Sequence, residues 1–489
     1  MSASPDRVAG ESSDRVTSAA LDALAAAKPA TVAKPRPQAP GEPARIVWEE
    51  AVGAEGAART CQARWRSESG QAPPRRVVVA DDTMKADTAW RLACEGSALL
   101  WRGDYHNARQ LLQAMARRAD GRARKPGKAA RPPATPAEAF HLHRMAQAQR
   151  ARTLGMLLIP FEAGAQIPLR RAPVVAELLA EAVAGTPDAD LADAPFVMSL
   201  RELLGLIGAH EWRRKGVLVP ALGERIHPWY GVYSPIRGEY LDLVARVPLP
   251  ARTLAFDIGT GTGVIAALLA RRGVGSVVAT DLSPRALGCA HDNLACLGLL
   301  AEAAEQGGTL RGAIRASSGA NPDANSDASS DASSSANPGA NLGANPGATA
   351  RAHELPAGRV ALLQADLFPP GRAPLVVCNP PWVPAKPSSA IEQAVYDPDS
   401  RMLRGFLSGL AEHLEEGGEG WLILSDLAEH LGLRTRAELL GWIEAAGLRV
   451  LGREDIRPRH GKVADAEDPL HAARAAETTS LWRLGVPKH

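Results

Sequence analysis

The chain has 489 residues, 45% of them hydrophobic and 22% charged, with a formal net charge of +2 at pH 7. At roughly 100–200 residues per domain, that length holds two domains and unstructured connections, and the composition is ordinary for a soluble fold. It offers no apolar run of the ~18 residues a membrane-spanning helix needs. Met1 to Arg45, rich in Ala and Pro and carrying Asp6, Glu11, Asp14 and Asp22, lacks the apolar core of a signal peptide. Cys61, Cys94, Cys289, Cys296 and Cys378 are scattered and form no CxxC pair. We expect them to be reduced and buried, with neither a disulfide framework nor a metal, in a cytoplasmic protein.

The near-neutral balance hides an asymmetry. Between Arg102 and Arg171 there are 14 Lys or Arg against 4 Asp or Glu, densest at Arg117, Arg118, Arg122, Arg124, Lys125, Lys128 and Arg131. Such a patch attracts phosphate backbones, with binding that weakens steeply in salt. A solvated basic linker is the plain alternative, because Pro126, Gly127, Pro132 and Pro133 share the stretch.

In chain order, residues 1–75 have few large apolar side chains and are expected to be a disordered tail. Residues 76–223 are expected to form a helix-rich basic domain that docks substrate. It opens on the apolar run Val77-Val78-Val79, and helical spacing follows over 83–101, with Trp90, Ala93, Leu99 and Leu100 as core positions. Asp104 is placed to cap a second helix that buries Ala108, Leu111, Leu112 and Met115. Further helices are expected over 136–156, 173–184 and 198–209. His141 and His143 are two apart, so on a helix they face different ways and do not suggest a metal site.

From Arg252 short apolar strands alternate with amphipathic helices. Strands are expected at 253–257, 276–281, 359–363, 373–378, 420–424, 448–454 and 479–484, and helices at 264–272, 284–297, 401–414 and 435–446. This pattern predicts an α/β fold, a mostly parallel seven-stranded Rossmann-like sheet covered on both faces, over residues 224–489. One stretch interrupts it. From about 317 to 350 the sequence repeats units such as Ala336-Asn337-Pro338-Gly339, with Leu342 as its one large aliphatic residue. We expect a disordered insertion over about 302–356, since loop-closure cost grows only logarithmically with length.

The strongest local signal is Phe256-Asp257-Ile258-Gly259-Thr260-Gly261-Thr262-Gly263, which ends an apolar strand and opens a helix. Glycines at alternate positions allow a tight turn and close approach of a ligand. Asp281 ends the next strand, 18 residues after Gly263, where an acid can accept hydrogen bonds from both ribose hydroxyls. Gly261-Thr-Gly263-Val-Ile-Ala266 also fits the dinucleotide-binding pattern, so the glycines alone leave a nicotinamide-dependent oxidoreductase open. Two features favour another nucleoside. Asp257 precedes the glycines, where it can meet a cationic amine, and Asn379-Pro380-Pro381-Trp382 directly follows an apolar strand.

That tetrapeptide suits chemistry at a planar NH2 group, whose delocalised lone pair makes it a poor nucleophile. The Asn379 side-chain oxygen and the Pro380 carbonyl can each accept one N–H and align the nitrogen with a methyl donor. The prolines stiffen the turn, and Trp382 offers a flat stacking face. With an activated sulfonium donor, catalysis is alignment and electrostatics, without a strong base. Taken alone the tetrapeptide also fits a tight turn with a buried Trp.

Together these residues resemble the class I S-adenosylmethionine-dependent methyltransferases, specifically the N-methyltransferases with an Asn-Pro-Pro-aromatic site that act on release-factor glutamine or on bases of ribosomal RNA. The resemblance covers about 225–484, less the insertion. It implies S-adenosylmethionine as cofactor, Asp257, Gly259, Gly261 and Gly263 as the donor loop, Asp281 on the donor ribose, and Leu282 and Asp366 at its adenine. Asn379, Pro380, Pro381 and Trp382 match the catalytic turn, with Asn379 also against the donor. Trp382 stands where Tyr or Phe is more usual. Tyr230-Gly231-Val232-Tyr233-Ser234-Pro235 with Glu239-Tyr240-Leu241 resembles the segment that covers the donor, or is a plain strand-to-helix turn.

Tyr396, Asp397 and Arg401 are candidates for the acceptor pocket, although a capped helix start at Asp399 or Ser400 explains them equally. Arg457, Arg459, His460 and Lys462 fit either a phosphate grip or a solvated loop. The expected activity is methyl transfer to an amino or amide nitrogen of a macromolecule. RNA is favoured as partner because of the basic stretch. A protein glutamine is the rival acceptor, and a binding-only RNA module the rival from another class.

Overall fold

Two sheets organise the chain. The computed structural model describes residues 44–52, 57–124, 133–183, 188–234, 238–301, 358–387, 391–459, 465 and 467–487. The insertion expected over 302–356 therefore lies outside the described residues, as do Lys125, Lys128, Arg131, His460 and Lys462 and most of the expected tail.

The first sheet begins earlier than the composition suggested. β1 (Arg45–Val52) and β2 (Ala57–Arg66) pair antiparallel inside the span expected to be a tail. Their period is two: Ile46 and Trp48 are buried and alternate with exposed Val47 and Glu49. The inward side chains join Ala98, Leu100, Leu158 and Val197 in one core. Enough apolar surface to order this ribbon comes from the neighbouring strands rather than from the ribbon itself.

The chain continues through β3 (Arg76–Ala80), α1 (Ala86–Cys94), β4 (Ser97–Trp101), α2 (Tyr105–Arg124), α3 (Pro136–Leu154), β5 (Leu157–Phe161), α4 (Ala176–Val183), β6 (Phe196–Ser199) and α5 (Leu200–Lys215). The sheet order is β1-β2-β6-β5-β4-β3. This six-stranded mixed sheet was not expected, although helices still outweigh strands over residues 76–223. In particular Leu99, Leu100 and Trp101 lie on β4, with every residue of that strand buried, rather than on one long helix. A five-residue apolar run satisfies either period, and its position between two parallel neighbours decides for the strand. Asp104 does cap α2, accepting from the His106 N–H at 2.9 Å, and Ala108, Leu111, Leu112 and Met115 are buried as expected.

A short hairpin, β7 (Val217–Val219) with β8 (Glu224–Ile226), and helix α6 (Glu239–Arg246) lead into the second sheet. Its elements are β9 (Leu254–Ile258), α7 (Val264–Arg271), β10 (Ser276–Asp281), α8 (Pro284–Cys296), β11 (Arg359–Gln364), β12 (Ala373–Cys378), α9 (Arg401–His413), β13 (Leu414–Ser425), α10 (Leu427–His430), α11 (Arg436–Ala445), β14 (Arg449–Ile456), α12 (His471–Ala476) and β15 (Thr479–Gly485). The order is β11-β10-β9-β12-β13-β15-β14, parallel up to β13 and antiparallel for β15 against both neighbours. Side chains alternate between two cores, Leu375 and Val377 on one face and Val376 and Cys378 on the other. Both faces are thus covered, which is why these strands read as continuous apolar runs.

Cys289 and Cys378 are buried, whereas Cys94 and Cys296 are exposed, so burial holds for only part of the cysteine set, none of which is joined in a disulfide. No helix among the described residues is long and apolar enough to cross a membrane.

Candidate active site

The strand order places a crevice at a definite point. β9 pairs with β10 on one side and β12 on the other, so the connections from β9 and to β12 diverge, and the carboxyl ends of those strands frame the opening. Register then fixes what meets there. Ile258 lies opposite Cys378, so the glycine loop that begins at Gly259 leaves the sheet beside the turn that begins at Asn379.

Asp257, the penultimate residue of β9, is 1% exposed. Its Oδ2 accepts from the Thr260 hydroxyl at 2.7 Å and from the Ala266 N–H at 3.1 Å. Its Oδ1 is enclosed and has no hydrogen-bond partner among the described residues. Burial pushes this carboxyl up to about 7, against the two hydrogen bonds that favour its charge. The loop beyond it needs a left-handed backbone. Gly259 has φ +71°, and a Cβ there would run into the Met402 methyl; Gly261 has φ +56° and open space on its Cβ side.

Asp281 ends β10 and is held by backbone donors, Gly261 N–H to Oδ2 at 3.0 Å and Ser283 N–H to Oδ1 at 2.9 Å. Burial raises its carboxyl from the usual range, and these N–H groups oppose the rise. The Leu282 N–H favours the same charged form. Next to it Leu282 is 60% exposed, an aliphatic side chain presented to solvent at the rim. Asp366 follows β11 and pairs with Arg401 at 3.2 Å. Leu367 after it has φ +75°, and its carbonyl accepts from the Thr280 hydroxyl at 2.5 Å.

On the other wall, Pro380 is buried and Asn379 and Trp382 are half-buried. The Trp382 indole N–H donates to the Asn379 side-chain oxygen at 2.9 Å. Its ring also packs against three separate apolar cores. Of the lesser candidates, Asp397 is the true cap of α9, accepting from Met402 and Leu403 N–H at 3.0 and 3.1 Å. Ser400 makes no capping bond, and Asp399 and Ser400 instead adopt left-handed φ values. Arg459 N–H is taken by Glu239, with a weaker charge contact to Asp242 at 3.8 Å. Tyr230 packs on the first sheet's core and Tyr233 on the second's. Tyr240 is fully buried near enough to Asp257 to feel its charge.

Thr260, Met402 and Phe140 escaped the sequence reading. Thr260 was visible only as spacing between glycines. Met402 and Phe140 gave no signal, because each acts through a contact with a distant segment. Among the described residues no group of three His, Cys, Asp or Glu side chains is gathered to hold a metal ion. The crevice can accept a ligand with a cationic amine at Asp257, vicinal hydroxyls at Asp281 and a flat apolar end at Leu282.

No protein-family model matches the chain, and no curated protein does. Solved structures similar to it include the ribosomal protein L11 methylase of Lactobacillus delbrueckii subsp. bulgaricus, 14% identical over 51% of this chain and 77% of that one, with a TM-score of 0.27. Others are an S-adenosylmethionine-dependent methyltransferase of Clostridium acetobutylicum, 11% identical over 58% and 98% with a TM-score of 0.31, and a methyltransferase of Thiobacillus denitrificans in complex with S-adenosyl-L-homocysteine, 13% identical over 52% and 92% with a TM-score of 0.28. Identities and scores this low assign no activity to the chain.

Proposed function

We propose that this chain transfers a methyl group from S-adenosylmethionine to an amino or amide nitrogen of a macromolecule, with a base in RNA as the favoured acceptor. The observation that carries the reading is the pairing of Ile258 with Cys378, which sets the glycine loop and the Asn379–Trp382 turn side by side at one crevice. A seven-stranded sheet with five parallel strands in sequence along it supports the class I methyltransferase fold.

The residues present fit the donor. Asp257 leaves one enclosed oxygen unsatisfied, suited to the donor's amine. Asp281 holds its carboxylate ready for the ribose hydroxyls, and Leu282 offers an apolar rest for the adenine, with Asp366 within the same rim for its amino group. The bound donor supplies a sulfonium-activated methyl. Asn379 and the Pro380 carbonyl then orient the acceptor nitrogen by taking one N–H each, and Trp382 presents its face to the planar group. The nitrogen's excess proton leaves to solvent after transfer, so no strong base is needed.

RNA is favoured over protein by the local excess of Lys and Arg between Arg102 and Arg171. Methyl-labelled S-adenosylmethionine, offered cell RNA and cell protein separately, tests the reading. Label in RNA that is lost with Asn379→Ala is the expected result. Label in one protein band makes a glutamine amide the acceptor, and none in either fraction overturns the reading.

A further inference from the structure

The crevice is bounded on its acceptor side by more than the second sheet. Phe140, on the first turns of α3, is 3% exposed and forms a small core with Val383, Leu431 and Leu470, into which Trp382 and Tyr396 also pack. One turn on, Arg144 makes three contacts with a single loop. Its guanidinium lies 3.9 Å from the centre of the Tyr396 ring, pairs with Glu392 at 3.2 Å and donates to the Lys386 carbonyl at 2.6 Å.

The described parts of that loop are 382–387 and 391–397, from Trp382 to the α9 cap, Asp397. Its base is tied by Val383 N–H to the Val395 carbonyl at 3.2 Å and by Asp397 N–H to the Val383 carbonyl at 2.9 Å. Anything that displaces it moves the Asn379–Trp382 turn, from which it starts. Only a planar guanidinium can stack on a ring while donating in-plane to two acceptors, so lysine is no equivalent here.

Building on the methyl-transfer reading, we propose that α3 supplies the outer wall of the acceptor pocket and that Arg144 is a positioning residue which fixes the Trp382–Asp397 loop in the geometry that admits the acceptor. Choice of acceptor is thereby shared with the first sheet's helices. The donor half of the crevice, built from β9 and β10, does not depend on it.

The test uses the full chain as wild type, Arg144→Ala, Arg144→Lys and, as a control on the same helix, Gln147→Ala, at an exposed, uncharged position. Label transfer is measured against graded amounts of total cell RNA and of total cell protein, donor affinity by calorimetry, and amide exchange over 391–397 by mass spectrometry. For Arg144→Ala we expect the half-saturating acceptor concentration to rise about fivefold or more, the size of one lost charged contact, with donor affinity unchanged and faster exchange in the loop. Arg144→Lys should recover part of the loss, and Gln147→Ala should match wild type in all three measurements. Label transfer by wild type with unchanged half-saturation in Arg144→Ala overturns the pocket wall and leaves methyl transfer standing. No label from wild type overturns both.

Discussion

The indole N–H of Trp382 and the side-chain oxygen of Asn379 are joined by a 2.9 Å hydrogen bond within the same four-residue turn. The bond uses one of the two acceptor directions on that oxygen and fixes which way the amide points. It leaves one direction for an incoming N–H. A Tyr or Phe at this position has no ring N–H to make the same bond, so Trp382 sets the orientation of the Asn379 amide.

Trp382→Phe keeps an aromatic face and removes the donor. The expected result is a fall in single-turnover methyl transfer of roughly five- to tenfold, matching about 1 kcal/mol for one hydrogen bond, with a smaller change in acceptor half-saturation. Trp382→Ala should lose both. Equal effects from the two variants would assign the whole role to the hydrogen bond, and an unimpaired Phe variant would assign it to stacking.

Asp257 gives a pH dependence with a definite sign. Its folded-state carboxyl is raised to about 7, above the unfolded value, so its contribution to stability is present at low pH and declines as pH rises toward 7. Donor binding runs the other way, because a cationic amine requires the carboxylate. Affinity for S-adenosylmethionine should be about tenfold weaker at pH 6 than at pH 8, and Asp257→Asn should flatten that profile in calorimetry.

Asp281→Ala removes the acceptor of the Gly261 N–H together with the group proposed to hold the ribose. Charged hydrogen bonds of this kind are worth roughly 1.5–3 kcal/mol, which predicts donor binding weaker by about ten- to a hundredfold. Asp281→Asn retains one acceptor oxygen and should fall between. The reading is checked by isothermal titration of each variant.

Gly259→Ala places a Cβ against the Met402 methyl on a backbone of φ +71°. Met402 is flexible, so the steric part is relieved by Met402→Ala, while the left-handed backbone still costs about 1 kcal/mol. Thermal melts of the two single variants and the double variant should therefore show partial recovery in the double. Full recovery would mean that the φ requirement is absent.

The second sheet was legible because its central strands are buried on both faces: 276–281 and 373–378 were bounded in the sequence where β10 and β12 begin and end. The first sheet was not. β1 and β2 are an edge ribbon whose outward residues are mostly charged, polar or small, which by composition looks like a tail, and Ser97–Trp101 is too short for its period to separate strand from helix. The glycine loop and the Asn379–Trp382 turn are contiguous and could be read as motifs. Arg144 and Glu392 lie on opposite sides of the whole glycine-loop region in sequence, and only folding brings them together.

The flanks of residues 302–357 hold one another. Ala301 N–H donates to the Val360 carbonyl at 2.9 Å, and Val360 N–H donates to the Leu299 carbonyl at 2.8 Å. They meet where β11 starts, at the end of the sheet away from Gly259 and Asn379. This is consequently a seam at which the covalent order of the polypeptide is negotiable. New termini by circular permutation, or a grafted reporter domain, can be introduced between Ala301 and Gly358 with the crevice left as it is, which makes the seam a practical attachment point for following the protein in a cell.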